Sequence, residues 1–298
     1  MSNSIGFIGQ GWIGRNYAND FENRGYQVVR YALEAPYHKN QAAVAQCQTV
    51  FIAVPTPSTP EGFCYQAVRA ALGNVAAGAT VVIKSTLLPG TTNALQKEFP
   101  DLYILHSPEF LREVSAAHDA ANPQRNLIGV PAWDEEFTLR AQDVLSLLPQ
   151  APYEKVMSAY EAEFVKYAGN CFLYTKVVFM NALYDLVTAS EADFATIREA
   201  MIHDPRIGES HTQPIHASGH DTSKQTRPVR GAGGHCFIKD FEALRRFYEA
   251  SIGDDEGLKM LTSMINYNNR LLRDSGKDLD ILAGVYGEDT AVPPPVAE

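Results

Sequence analysis

The sequence predicts an α/β protein: a doubly wound parallel sheet, followed by an all-helical region built on one long helix. Three observations carry this. Short apolar runs without alternation recur at Ile5–Ile8, Gln27–Arg30, Thr49–Val54, Thr80–Lys84, Leu102–Leu105 and Asn126–Val130, as in strands buried on both faces of a parallel sheet. A glycine run, Gly9-Gln10-Gly11-Trp12-Ile13-Gly14, follows the first of them and opens a helix over Ile13–Arg24, closed by Gly25. After about Ser158 the character changes, with a long amphipathic stretch over Tyr160–Ala189 and further helices over Glu191–Ile202, Asp240–Ala250 and Asp255–Ser275.

These elements divide the chain into a dinucleotide-binding domain over 1–157, a helical central domain over 158–286 and a disordered tail over 287–298, which holds three consecutive prolines. The stretch from Asp204 to Arg230, rich in Gly, Pro, His and Ser, is expected to be a loop. The formal net charge is -10 over 298 residues, which disfavours phosphate backbones and anionic lipid surfaces as partners. No segment has the length and apolarity of a membrane span, and, because the N-terminus runs directly into a strand, no signal peptide is expected. The cysteines Cys47, Cys64, Cys171 and Cys236 form no CxxC pair, so reduced thiols in a cytoplasmic protein are expected.

Gly9, Gln10, Gly11, Trp12, Ile13 and Gly14 fit G-x-G-x-x-G in the context that gives it meaning, after a strand and opening a helix. The first glycine permits the tight turn, the second lets backbone approach a pyrophosphate, and the third allows close helix–strand packing. A Rossmann-type domain of this kind calls for a ribose-binding acid at the end of its second strand, about 20 residues on. Val28-Val29-Arg30-Tyr31-Ala32 ends without one, and Glu34 comes two residues later. NAD is the expected cofactor, with Glu34 its ribose ligand. NADP stays open, because Arg30 or a nearby base would suit a 2′-phosphate.

Cys236 sits in Gly231-Ala232-Gly233-Gly234-His235-Cys236-Phe237-Ile238-Lys239-Asp240, a thiol on a glycine-rich approach to a helix N-terminus, beside Lys239. The helix dipole and a nearby cation both lower a thiol's pKa, and the thiolate is the nucleophile. This segment resembles G-x-G-G-S-C-F-P-K-D of the UDP-glucose/GDP-mannose dehydrogenase family. The resemblance extends to Val54-Pro55-Thr56-Pro57, to Lys84-Ser85-Thr86 with Pro89-Gly90-Thr91, to Ser107-Pro108-Glu109-Phe110-Leu111-Arg112-Glu113, to the helix from Glu163 to Asn170, and to Asp204-Pro205-Arg206-Ile207-Gly208. Six ordered motifs make chance similarity a poor account.

The resemblance implies a two-step oxidation of a sugar's primary alcohol, through aldehyde to acid, with two NAD reduced. Cys236 would form a thiohemiacetal and then a thioester. Lys166 and Asn170 match the oxyanion-stabilising pair, and Glu163, Lys166 and Asn170 share one helix face. Asp240 and Thr86 match the residues holding a catalytic water, Glu113 the base for thioester hydrolysis, Glu109 the acid near it, and Lys239 the lysine beside the nucleophile. Val54, Pro55, Thr56 and Thr86 are implied at the cofactor. Phe110, Leu111, Arg112, Arg206, Gly233 and Arg230 are implied at the substrate. A homodimer through the long helix is implied as well.

Departures from the family pattern are local and large. Ile238 replaces its proline and His235 its serine, and Ala182 follows Asn181 where the family often has Glu. The family's nucleotide-binding third domain is expected to be absent after Asn268-Asn269-Arg270. The loop carrying His211, His216, His220, Lys224, Arg227 and Arg230 is expected to hold an anionic substrate in its place. No metal site is expected, since the histidines fit no zinc spacing. A two-electron β-hydroxyacid-type dehydrogenase using Lys166 and Asn170, and a catalytically weak binding protein, are the competing expectations.

Overall fold

Strand β1 (Ile5–Ile8) is buried along its whole length and pairs in parallel with β2 (Val28–Tyr31) on one side and β3 (Thr49–Ile52) on the other. Helix α1 (Trp12–Asn23) connects β1 to β2, and a short α2 (Gln41–Val44) connects β2 to β3. A two-stranded antiparallel hairpin follows, β4 (Ser58–Thr59) with β5 (Gly62–Phe63). Helix α3 (Gln66–Leu72) leads to β6 (Thr80–Ile83), α4 (Thr91–Glu98) to β7 (Tyr103–His106), α5 (Ala116–Ala121) to β8 (Arg125–Val130), and α6 (Glu135–Leu147) to β9 (Tyr153–Ser158). The main sheet has the order β2-β1-β3-β6-β7-β8-β9. The chain runs from β1 to β2 on one side and from β2 back past β1 to β3 on the other, and the carboxyl ends of strands at such a switch point are where this architecture binds ligands.

The sheet is mostly parallel, as expected from the sequence, with one exception. β8 meets β7 antiparallel, at the single pair His106↔Gly129, and β9 then runs parallel to β8. The expected strands otherwise appear within one or two residues of their expected bounds. β9 and the hairpin escaped notice because β9 begins with three exposed polar or aromatic residues and the hairpin strands are two residues long.

The core on one sheet face joins Phe7, Phe51, Val82, Leu105 and Ile128 to Tyr17, Ala18 and Phe21 of α1 and to Phe137, Ala141 and Val144 of α6. Phe7 stacks on Phe51 at 4.9 Å and meets Phe21 edge-on at 5.3 Å. Each buried aromatic contributes roughly 1.5–3 kcal/mol of transfer free energy.

The structure, a computed structural model, describes residues 4–216 and 229–287. His220, Lys224 and Arg227, and the expected tail beyond Gly287, lie outside the described residues. The chain forms two units, Met1–Thr56 with Cys64–Lys166, and Pro57–Phe63 with Tyr167–Glu298. The long helix α7 (Ala159–Thr188) contributes to both, its residues through Lys166 to the first and the remainder to the second.

In the second unit, α8 (Phe194–Ile202) starts later than the sequence suggested because Asp193 caps it, accepting from Ala195 N and Thr196 N. Helix α9 (Gly234–Ser251) starts earlier than the expected Asp240. Helix α10 (Asp255–Ser275) has Asp254 at its start and Gly276, at φ +67°, at its end. A further helix, α11 (Leu279–Tyr286), was not anticipated. Ile238, Leu272, Leu282 and Val285 form a small core, and Tyr174 stacks on Phe241 at 4.0 Å. No helix among the described residues is long and apolar enough to cross a membrane.

Candidate active site

The glycine run forms the turn that the sequence requires. Gly9 has φ +92°, and a Cβ there would lie 2.2 Å from the carbonyl oxygen of Ala53. A Cβ on Gly14 would lie 2.0 Å from the carbonyl oxygen of Gly9. Gly11 faces open space, with nothing within 4 Å of a Cβ position, and it stands at the start of α1 without a side-chain cap. The free N–H groups of that helix end thus meet an open cradle of backbone, which fits a pyrophosphate. Trp12 is half exposed and Ile13 half-buried beside it.

Two further loops are tied together at the carboxyl ends of β3 and β6. Val54 N donates to Ser85 Oγ at 2.9 Å, and Ser85 Oγ donates to Val54 O at 2.7 Å. Thr56 and Thr86 are buried and Pro55 is exposed. Thr86 does not cap a helix: α4 begins at Thr91, after Gly90 at φ +93°. The acid at that helix start is Glu163, which accepts from Gly90 N at 2.6 Å, Thr92 N at 2.8 Å and Thr92 Oγ1 at 2.6 Å. Burial pushes the Glu163 carboxyl up to about 7 against these donors. Its sequence position on the face of Lys166 gave no hint of this bracing role.

Glu109 and Lys166 form a buried ion pair. Lys166 Nζ donates to Glu109 Oε1 at 2.7 Å and to its carbonyl at 2.8 Å, while Leu111 N donates to Glu109 Oε2 at 2.8 Å. Next to them Lys84 donates to Ser107 Oγ at 2.9 Å and lies 4.4 Å from the Tyr17 ring centroid. Burial lowers the Lys84 ammonium to about 7, opposed by the charge of Glu109. His106, fully buried with neither ring nitrogen hydrogen-bonded, is pushed down to about 3 by burial and by Lys84. Phe110 carries the Arg125 guanidinium 3.7 Å above its ring. Glu113 opens a 3-10 turn, Glu113–Ser115. Arg112 turns to Asp119, donating from Nη2 at 2.6 Å, and Leu111 is half-buried.

In the second unit Cys236 is exposed and stands inside the first turn of α9, not on the approach to it. That places the thiol nearer the helix N-terminus, where the dipole favours a thiolate. The preceding turn is fixed by buried side chains. Asn268 takes the N–H of Ala232 at 2.7 Å and returns its amide to Ala232 O at 3.0 Å. Lys277 donates to Gly231 O at 2.9 Å and lies 3.0 Å from His216 Nε2; burial lowers its ammonium to about 8. Asp278 Oδ2 accepts from Gly234 N at 2.6 Å, and a Cβ on Gly233 would lie 2.0 Å from that oxygen. The sequence reading missed Asn268, Lys277 and Asp278 as a group, since their role depends on a fold-back from α10 and α11.

Asn170, Lys239 and Asp240 come together. Asp240, 1% exposed, accepts from Asn170 Nδ2 at 2.6 Å on one oxygen and from Lys239 Nζ at 2.5 Å on the other. The Lys239 ammonium is thus given to Asp240. The hairpin anchors the same segment, Ser58 Oγ donating to Lys239 O at 3.0 Å.

Several of the other expected ligands have partners within the chain. The Arg230 guanidinium holds Asn181 Oδ1 and O at 3.0 Å each and pairs with the Asp185 carboxylate at 2.7 Å. Arg206 is exposed and pairs with Asp204 at 2.6 Å. Glu34 is exposed. Arg30 is turned inward onto Glu22. His203 bonds the carbonyl of Glu199, and no cluster of three His, Cys, Asp or Glu suited to a metal occurs among the described residues.

Comparisons with known proteins identify the family and the fold. Residues 30–143 match the model of the UDP-glucose/GDP-mannose dehydrogenase family, NAD binding domain, and residues 160–270 match the model of its central domain. The UDP-glucose 6-dehydrogenase of Rhizobium meliloti is 30% identical over 272 residues, 85% of this chain and 57% of that protein. That of Pseudomonas aeruginosa is 34% identical over 232 residues, 72% of this chain and 48% of that protein. The chain spans about half the length of the curated relatives it matches. A UDP-glucose dehydrogenase from Pyrobaculum islandicum superposes with a TM-score of 0.74 at 28% identity, covering 92% of this chain and 70% of that one. The 3-hydroxyisobutyrate dehydrogenase of Mycobacterium tuberculosis, at 17% identity, shares the fold with a TM-score of 0.67, covering 96% of this chain and 99% of that one. The chain belongs to the UDP-glucose/GDP-mannose dehydrogenase family and carries that family's NAD-binding and central domains.

Proposed function

We propose that the protein oxidises the primary alcohol of a nucleotide sugar to the carboxylate through covalent adducts on Cys236. The observation that carries this is the state of Cys236: an exposed thiol in the first turn of α9, on a backbone turn held by three buried polar side chains. An inert structural cysteine is usually buried, like Cys171, whose thiol burial pushes up.

Bound NAD supplies the hydride acceptor for each of the two oxidation steps. The chain's residues do the rest. The water assigned to Asp240 and Thr86 takes the hydroxyl proton as the alcohol becomes aldehyde. The Cys236 thiolate then adds to the aldehyde carbon, forming a C–S bond and an alkoxide, for which the family resemblance assigns Lys166 and Asn170 as donors. Loss of a second hydride leaves a thioester. Water, activated by Glu113 in this reading, cleaves the C–S bond to give acid and thiolate.

Phe172, Phe179 and Leu186 are exposed at intervals of seven on α7, one apolar stripe of the kind that pairs helices. The proposed partner for it is a second copy of the chain, and light scattering that returns a monomer would remove that part.

The test is stoichiometry. UDP-glucose and a panel of other nucleotide sugars and hydroxyacids are incubated with NAD, and reduced cofactor is counted per product for wild type and Cys236→Ser. The expected result is two per acid formed, with turnover stalling in the variant. One per turnover, with Cys236 dispensable, would place the protein with two-electron hydroxyacid oxidation instead.

A further inference from the structure

In Rossmann-type domains the 2′ position of the adenosine ribose is read at the end of the second strand, by an acid for a hydroxyl or by an arginine for a phosphate. This chain has Ala32 there and an arginine, Arg30, two residues before it on the same side of the strand. The guanidinium lies against the phosphate loop, with Nη1 donating to Gln10 Oε1 at 3.2 Å. It is engaged from α1 as well. Nε and Nη2 donate to the two oxygens of Glu22 at 2.9 and 2.7 Å, and Nη2 also donates to Asn19 Oδ1 at 2.7 Å. This fork-on-fork pairing is the geometry in which arginine recognises a phosphate, here taken up by a carboxylate of the chain itself. The Arg30 side chain is 9% exposed and the Glu22 side chain 48%. Solvent therefore reaches the acid, and the cation stays inside.

We infer that Glu22 sets the preference for NAD over NADP, by holding Arg30 closed to a 2′-phosphate. It acts from α1, in place of the acid missing from β2, and it does so through Arg30. Glu22 is thus a positioning residue. The inference rests on the reading that this unit binds a nicotinamide dinucleotide.

The measurement is the dissociation constant of NAD and of NADP by isothermal titration, without substrate. It is made on wild type, Glu22→Gln, Glu22→Ala, Arg30→Leu and the double variant Glu22→Ala/Arg30→Leu. Wild type is expected to bind NAD about tenfold more tightly than NADP, one charge-assisted contact's worth. Glu22→Ala is expected to tighten NADP by about tenfold while NAD stays within about twofold. Glu22→Gln moves NADP less, since a neutral amide still accepts one hydrogen bond. Adding Arg30→Leu abolishes the gain. Near-constant NAD affinity shows that the variants keep their fold. An unchanged NADP-to-NAD ratio in both Glu22 variants overturns the inference, as does a gain that survives Arg30→Leu or a wild type that already binds both equally. A wild type that binds neither dinucleotide overturns the cofactor reading itself, and this inference with it.

Discussion

The NAD-binding unit buries charged side chains, whereas the helical unit buries a scaffold and leaves the Cys236 thiol exposed. Glu109 and Lys166 have side chains 5% and 6% exposed, and Lys84 is buried beside them. Around Cys236 the buried groups are Asn268, Lys277 and Asp278, which hold backbone, while the thiol faces solvent. Burying a charge ties protonation to packing, and burying its supports ties geometry to packing. The first arrangement makes charge at the site costly to alter. The second keeps the Cys236 thiol accessible while fixing where its helix begins.

The largest effect expected from this contrast is on Lys166. Lys166→Met leaves Glu109 buried without its cation, a situation that costs about 3–5 kcal/mol. Urea denaturation should show that loss, and Glu109→Gln added to it should restore a large part. A loss no greater than that of an exposed lysine would mean that the pair is solvated.

Asp278 comes next. Asp278→Ala strips Gly234 N of its acceptor and puts alanine at φ +51°, so a loss of roughly 1–3 kcal/mol is expected. Asp278→Asn keeps an acceptor and a residue that tolerates the left-handed region, and should lose less. The alkylation rate of Cys236 by iodoacetamide reports on the turn directly. It should change in Asp278→Ala, and a rate equal to wild type would show that the acid supports the fold alone.

Lys84 gives a pH-dependent difference. Its folded pKa, about 7, lies below the ordinary lysine value because the charged form is buried. The unfolded chain therefore binds the proton more tightly between pH 7 and the ordinary lysine range, and stability from this group rises with pH across that window. The urea midpoint of wild type relative to Lys84→Met should be higher at pH 9 than at pH 6.5. A constant difference would mean that Lys84 keeps an ordinary pKa in the fold.

Much of the first unit was legible because its signals are local. Continuous apolar runs mark β1, β3 and β6, and glycine at 9 and 14 is demanded by backbone approach at those residues. The Cys236 segment was legible as a motif, yet its geometry was not. Gly234 adopts φ +79° and joins the helix, which a glycine run does not announce. Lys277 and Asp278 stand more than forty residues from the turn they hold, so no window of sequence connects them. Arg30 and Arg230 read as free cations because pairing with Glu22 and Asp185 is a matter of helix rotation and packing. The antiparallel entry of β8 was invisible for a similar reason: strand direction depends on the connection, and β8 is as apolar as a parallel strand.

The smallest expected effect separates two arginines that the sequence treats alike. Arg230 is braced against α7 by Asn181 and Asp185 and stacks over Tyr184 at 4.9 Å, so its charge is spent within the fold. Arg206 keeps only its neighbour two residues away, Asp204, and its side chain is 88% exposed. An exposed pair of this kind adds little to stability, so Arg206→Ala should leave the melting temperature at the wild-type value. If Arg206 meets an anionic substrate, as the family resemblance implies, the same variant should raise KM several-fold while kcat holds, since a contact made equally in ground and transition states alters binding alone. Unchanged KM would return Arg206 to the solvated surface. Arg230→Leu should do the reverse, lowering the melting temperature by loosening the end of the loop on α7. An anion-dependent KM change in that variant without any loss of stability would show that the brace opens in solution.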